Sequence, residues 1–305
     1  MQTLAPIALF VYNRPQHTER TVKFLRQNEL AAESRLFIYA DGPKAGGDDD
    51  TKVQEVRDYL KTIDGFKSVT IIESNKNKGL AQSIIDGVTQ LTATYGQVIV
   101  FEDDLISSPH TLTYFNEALN RYRNHEKVMH IGAYMYPLAN PDLPESFFYR
   151  AATSWGWATW QRAWVHFEAD IDKLMQQFDP AKKAAFSIDH TMNFWKQMIE
   201  FKTGKNNSWA IRWYASVFLK GGLTLNPAQS LINNIGHDGS GVHSGINDIY
   251  NVVINPKPVT RFPDEIKENT KAYQAIRAFL ANRKGSLMNR IQRFVKEKFV
   301  QLFRK

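Results

Sequence analysis

Val98-Ile99-Val100-Phe101-Glu102-Asp103-Asp104 decides how this 305-residue chain is read. Four β-prone apolar residues bounded by polar ones predict a buried strand, and open α/β sheets bind ligands in the crevice outside the carboxyl ends of their strands. Three carboxylates fall at such an end. Like charges crowded beside a low-dielectric sheet raise one another's pKa or require a cation, and hard oxygen donors suit Mg²⁺ or Mn²⁺. The triplet therefore points to a metal that also holds a diphosphate. The competing role, capping the next helix, is supplied by Ser107-Ser108-Pro109, with serine as N-cap and proline at the first helical position.

Outward from the triplet, strand and helix patterns alternate. Leu4 to Tyr12 reads as a buried strand, followed by Asn13-Arg14-Pro15 and a helix with Val22, Phe24 and Leu25 on its apolar side. Arg35 to Ala40 reads as a second strand ending in the turn Asp41-Gly42-Pro43, and residues 51 to 63 carry helical spacing. Val69 to Ile72 is a third strand, and after Lys78-Gly79 a helix repeats Leu80, Ile84, Ile85, Val88 and Leu91. Val128 to Ala133 reads as a further strand. The expectation is an α/β fold with a mostly parallel, doubly wound, Rossmann-like sheet over residues 1–133. Residues 134–262 form a less regular half of the same domain, with an aromatic segment, SWGWATW, and a loop, GHDGSGVHSG (236–245), that holds four glycines in ten residues. Residues 263–305 read as a helical, basic and amphipathic tail.

A hydrophobic content of 43% is ample for a core. The chain has no cysteine, which excludes disulfides and thiolate metal sites and fits a reducing cytoplasm. The opening MQTLAPIALFVYNRP lacks the basic start and cleavage pattern of a secretory signal, and no stretch approaches the length of a spanning helix. The formal net charge of +7 is local: residues 283–305 carry eight Lys/Arg and one Glu, leaving 30 basic and 30 acidic residues before them. A neutral body argues against nucleic acid as a partner. The tail, with Leu287, Met288, Ile291, Phe294, Val295, Phe299 and Leu302 at spacings of three and four, suggests peripheral attachment to an anionic membrane at the cytoplasmic face; a helix packed on the body is the competing reading.

Polar residues follow successive strands: Arg14 after the first, Asp41 after the second, Lys78 after the third and Glu102 to Asp104 after the fourth. Singly, each is ordinary, since Asp-Gly is a common turn and a lone lysine is usually solvated. Ordered along one sheet edge, they gather cations, a carboxylate and a metal triplet into one crevice, the outline of a nucleotide-diphosphate site.

FVYNRP, IYADGP, NKGLAQSI, VIVFEDDLISSPHTLTYF, FFYRAATSWGWATW and SLINNIGHDGSGVHSG occur in the order used by GT-A fold glycosyltransferases. Over residues 5 to 245 the chain most closely resembles the N-acetylglucosaminyltransferase I type and its bacterial relatives, and EDDLxxSP is the most specific segment. The resemblance implies a metal-dependent transfer of a sugar, with inversion, from a UDP-sugar to an acceptor hydroxyl; the basic amphipathic tail adds the expectation of a glycan or lipid-linked acceptor in bacterial surface polysaccharide synthesis. The resemblance also implies Asp104 as ligand to Mn²⁺ or Mg²⁺, Glu102 and Asp103 near the donor's ribose and sugar, and Arg14 and Asp41 near uracil and phosphates. The glycine loop resembles a lid over the diphosphate, making His237, Ser240 and His243 candidate contacts. Of Trp155, Trp157 and Trp160, two are expected in the core, with Trp155 or Trp157 walling the sugar pocket.

One departure matters. Inverting members place a catalytic acid in the segment matching SWAIRW, where this chain has Ala210 and Ile211. Asp238, or alternatively Asp170 or Asp172, stands as substitute base. A binding module without catalysis therefore stays open. A sugar nucleotidyltransferase is less compatible, because NRPQHTER after the first strand lacks the glycine-rich phosphate loop.

Overall fold

Strand β1 (Ile7–Val11) is buried along its whole length, and its side chains divide between two cores: Ile7, Leu9 and Val11 on one face, Ala8 and Phe10 on the other. That two-sided burial explains why it reads as a continuous apolar run. The computed structural model describes residues 3–139, 142–236 and 248–283. In chain order, β1 is followed by α1 (Pro15–Arg26), β2 (Arg35–Ala40), α2 (Asp50–Leu60), β3 (Ser68–Glu73), α3 (Leu80–Tyr95) and β4 (Gln97–Glu102). Next come β5 (Leu105–Ser107), α4 (Thr111–Arg121), β6 (Val128–Gly132), β7 (Ser146–Tyr149), β8 (Trp157–Trp160) and α5 (Gln161–Trp164). The helices α6 (Ile171–Met175), α7 (Pro180–Phe186), α8 (Phe194–Lys202) and α9 (Trp209–Leu219) precede β9 (Leu223–Pro227), β10 (Ile232–Asn234) and α10 (Thr270–Asn282).

Eight strands form one sheet in the order β3-β2-β1-β4-β8-β6-β9-β7. The first four are mutually parallel, as expected; β8 and β7 run antiparallel to their neighbours, while β6 and β9 pair in parallel. The stretch expected to be less regular thus supplies three strands to the same sheet. Short strands set close to their turns give little periodicity to read, which is why the sequence shows them weakly. One face of the sheet is covered by residues of α1, α2 and α4, the other by residues of α3, α5 and α9, so the sheet is doubly wound.

The chain proceeds from β1 outward to β2 and β3, then returns to place β4 on the other side of β1. This reversal makes the carboxyl ends of β1 and β4 a topological switch point, the position where open α/β sheets bind ligands.

One local expectation is corrected. Helix α4 begins at Thr111 with His110 in the cap position and no side-chain cap bond, not at Ser107-Ser108-Pro109. Ser107 instead belongs to β5, which pairs antiparallel with β10, and its hydroxyl accepts a hydrogen bond from the Asn28 amide at 3.0 Å. Ser108 heads a backbone turn, accepting from Thr111 N–H at 3.1 Å through its carbonyl. Strand pairing with a segment over 120 residues away overrides the local helix-start signal.

Candidate functional site

Arg14 stands at the start of α1, immediately before Pro15, and its guanidinium reaches the acids that follow β4. It is hydrogen-bonded to Asp103 through Nη2 and, at 3.3 Å, through Nε, and it lies 3.0 Å from Asp104 Oδ2. Burial disfavours the arginine's charge, but Asp103 and Asp104 more than offset this and raise its pKa. Asp103 is pushed up to about 6 by its own burial, against the opposing pull of Arg14. The Thr21 hydroxyl on α1 donates to the Asp103 carbonyl at 2.7 Å and fixes the turn.

Asp104 is also held from the β5–β10 ribbon. The Asn234 amide donates to Asp104 Oδ1 at 3.4 Å, Ile235 N–H donates to the Asp104 carbonyl at 2.8 Å, and Gly236 N–H turns back to Asn234 Oδ1 at 2.7 Å. A Cβ on Gly236 would collide with the Asp104 carboxylate and approach Arg14 Nη1 to 3.0 Å. Asn234 and the packing role of Gly236 were not singled out from sequence; the paired asparagines inside an otherwise apolar strand, Leu231-Ile232-Asn233-Asn234, were the available signal.

The Glu102 carboxylate has no hydrogen bond or ion pair among the described residues, and burial together with Asp104 and Asp103 pushes it up to about 8. A carboxyl group so displaced marks a cluster short of positive charge. Among the described residues no three His, Cys, Asp or Glu side chains converge as a metal site. The donor chemistry nevertheless fits a hard divalent cation: Asp104 and Glu102 offer oxygens, and added charge would restore the ionised form of Glu102.

Asp41 and Lys78 take different parts from those expected. Both oxygens of the buried Asp41 carboxylate are engaged by backbone N–H groups, Oδ1 by Gly42 at 2.9 Å and Lys78 at 2.8 Å, and Oδ2 by Gly79 at 2.9 Å. It clamps the loop after β2 to the loop after β3, where Gly42 lies so close to the Lys76 backbone that a Cβ would stand 2.6 Å from it. The Lys78 ammonium turns to Asp86 on the exposed face of α3, 3.2 Å away, and does not enter the crevice. Among the described residues Arg14 is ion-paired with the triplet, and His17 adds a smaller pull on Asp103.

Trp157 is fully buried, stacked on His130 with centroids 5.2 Å apart and on Trp209 at 5.1 Å, so it is core and no pocket wall. The reason is its strand: β8 is flanked by β4 and β6, and Trp157 faces α9. Trp160 is likewise core and donates Nε1–H to the Leu119 carbonyl at 3.1 Å. Trp155, two residues before β8, is half-buried, edge-on to Tyr134 at 4.5 Å, and lines a cavity of about 300 Å³ with Tyr134, Tyr136, Tyr250, Ala210 and Ile211. Val100 pairs with Trp157 and Trp157 with Gly132, so residues 133–136 and 152–156 leave the sheet at the same edge as the triplet.

Asp170 caps α6, accepting from the N–H groups of Asp172 and Lys173, and Asp172 is paired with Lys202 at 2.5 Å on an exposed face. Both have structural work there. Asp238, His237, Ser240 and His243 lie outside the described residues, as do residues 284–305; the described part of the tail holds α10, which buries Ala272, Ile276 and Leu280.

No known family profile matches the chain, and no curated protein does. Among solved structures, S. aureus TarS 1–349 is similar over 77% of this chain and 61% of its own length, at 10% identity and a TM-score of 0.45. GalNAc-T7 with UDP, GalNAc and Mn²⁺ is similar over 74% of this chain and 42% of its own, at 9% identity and a TM-score of 0.45. S. aureus TarS itself aligns over 49% of this chain and 24% of its own at 14% identity, with a TM-score of 0.34. The chain spans less than two thirds of each of these structures.

Proposed function

We propose that the protein is a GT-A type, metal-dependent glycosyltransferase that moves a sugar, with inversion, from a UDP-sugar to a hydroxyl of a glycan or lipid-linked acceptor. The observation that carries this reading is the placement of Glu102, Asp103 and Asp104 at the end of β4, facing Arg14 at the end of β1, across the switch point of the sheet. A divalent cation bound there would supply charge neutralisation for a diphosphate leaving group. Asp104 and Glu102 would hold it. Arg14 adds a fixed positive charge beside the same group, and the ribbon through Asn234 keeps Asp104 in place. The order of sequence motifs supports a UDP-linked donor.

A second reading has its own support. Ala210 and Ile211 line the cavity at the place where inverting relatives are expected to carry their base. Either Asp238 from the glycine loop supplies the base, with His237, Ser240 and His243 contacting donor, or the chain binds nucleotide sugars without turning them over. Release of UDP from UDP-sugars, measured with and without Mn²⁺ and glycan acceptor, decides. Metal- and acceptor-dependent release supports the transferase; binding of UDP without release in any combination leaves the binding module.

The same reading places the enzyme at the cytoplasmic face of a bacterial membrane, working on surface polysaccharide. No helix among the described residues is long and apolar enough to cross a membrane. The support lies in residues 283–305, whose eight basic side chains would each gain about 1 kcal/mol near anionic lipid. Truncation after Asn282 should abolish sedimentation with phosphatidylserine vesicles at low salt and leave UDP-sugar hydrolysis nearly unchanged. Unfolding of the truncated protein, or indifference of the full chain to vesicles, would assign the tail to the body.

A further inference from the structure

We propose that the cavity beside the triplet seats a single uncharged pyranose ring of the acceptor and rejects sugars that carry a carboxylate or phosphate. The inference rests on the transferase reading for the word acceptor, and on the cavity alone for its selectivity.

A volume of about 300 Å³ lies at the low end for ligand cavities. It suits one ring, not an extended chain. Tyr134, Tyr136, Trp155, Phe194, Tyr214 and Tyr250 make its lining aromatic, and Ser154, Gln197 and Ser208 add hydroxyls and an amide. No Lys, Arg, His, Asp or Glu is among the described residues that line it. Alternating C–H and hydroxyl surfaces on a pyranose match such a wall. An ionised substituent would instead leave water without a counter-charge, and burying an unpaired charge is far costlier than burying a hydroxyl that finds a partner.

The adjacent cations, Arg283 and the Arg150 that is paired with Glu268, stand outside the lining. The Arg283 guanidinium is felt by Tyr136, yet its Nη1 is bound to the carbonyls of Thr191 and Leu280, each at 2.5 Å. On the triplet side the charges are negative and already face Arg14.

The walls are built to keep their shape. His130 Nε2–H donates to the Thr153 carbonyl at 3.0 Å while Trp213 Nε1–H donates to His130 Nδ1 at 3.0 Å, which ties the 152–155 wall to α9. The Tyr134 hydroxyl is bonded to the Tyr250 carbonyl at 2.8 Å. Ile188, Asp189 and His190 hold three consecutive left-handed conformations, with φ of 50°, 49° and 64°, just before Met192 and Phe194 enter the lining. Non-glycine residues adopt that backbone only where surrounding structure enforces it, and such strain clusters at ligand sites.

Saturation-transfer NMR on the full chain tests this with methyl β-D-glucopyranoside, methyl β-D-galactopyranoside and methyl N-acetyl-β-D-glucosaminide. These are set against methyl β-D-glucuronide and glucose 6-phosphate, with UDP observed in the same samples in the presence of Mg²⁺. At least one neutral glycoside should bind ten times more tightly than either anion. Ala152→Trp, which fills the cavity, should remove that signal and leave UDP's. Gln197→Lys, which adds a cation to the lining, should narrow the gap between glucuronide and glucoside at least threefold, and it serves if the tryptophan variant fails to fold. Equal binding of glucuronide, silence of all three neutral glycosides while UDP signals, or an unchanged gap in Gln197→Lys would overturn the proposal. Selective binding of a neutral glycoside with no UDP signal would keep the cavity assignment and sink the donor reading.

Discussion

Arg14, at the amino end of α1, clasps Asp103 across the switch point of the sheet and stands 3.0 Å from Asp104, so a single guanidinium balances the two carboxylates that follow β4. The pair is largely buried, with side-chain exposures of 19% for Arg14 and 6% for Asp103. An ion pair of this kind adds little over an apolar substitute, but breaking it strands the surviving charge.

Removing the cation should therefore be costly. Arg14→Ala is expected to lower unfolding free energy by about 3 kcal/mol, the lower end for a broken buried pair. Arg14→Lys should recover part of that loss, because it restores charge without the two-pronged geometry. Urea unfolding of the three proteins checks the order; equal midpoints for the wild type and Arg14→Ala would show the pair to be solvated.

Asp104 is expected to matter for ligand more than for fold. Its removal leaves Arg14 bound to Asp103 and takes a negative charge out of a crowded cluster, so Asp104→Ala should unfold no more easily than the wild type. The Mn²⁺-dependent part of UDP binding should vanish with it. Calorimetric titration of UDP, with and without Mn²⁺, is the check, and unchanged affinity in the variant would remove Asp104 from the metal site.

How much of this was legible in the sequence follows from the range of the forces involved. Strand β2 lies at Arg35–Ala40 as its apolar pattern predicts, and the acids follow β4, because burial on both faces writes a local signature. The partners were not legible. Arg14 and Asp103 are 89 positions apart, and Asp41's three N–H donors come partly from a loop 37 residues on. Lys78 reads as a crevice cation only until Asp86, one face of a helix away, is placed beside it. Trp155 and Trp157 share one motif yet separate completely: the last belongs to a strand paired on both sides, the first to the segment leaving it.

Gly236 gives a prediction that the sequence alone does not. A methyl group there would drive into the Asp104 carboxylate and toward Arg14, so Gly236→Ala should displace the acid. The cost in stability should stay near 1 kcal/mol, as the residue sits where β10 gives way to loop and can shift. The cost in Mn²⁺-dependent UDP affinity should be at least tenfold. If the alanine variant binds UDP like the wild type, the carboxylate is free to move and its placement by the β5–β10 ribbon is not what sets the site.

His130 makes stability depend on acid in a definite window. Trp213 can only donate, so Nδ1 of His130 accepts and Nε2 carries the proton given to the Thr153 carbonyl; the ring is neutral by construction. Complete burial brings its pKa down to about 3 from the ordinary 6.5, outweighing the hydrogen bond to Thr153, which acts the other way. Between those values the unfolded chain holds a proton on this ring that the folded chain does not, so stability falls as pH drops through the interval and is unaffected by this group above it. The slope approaches about 1.4 kcal/mol for each pH unit well inside the window. In His130→Gln that proton is gone, while the remaining carboxylates titrate as before. The variant should be less stable at pH 7.5, by about 1 to 3 kcal/mol for the disturbed hydrogen bonds, and the deficit should shrink steadily toward pH 4.5. Chemical unfolding at half-unit steps measures it. A gap that stays constant with pH would mean that the ring titrates in the folded protein as it does in the unfolded chain, and that the Trp213–His130–Thr153 chain does not hold the cavity wall.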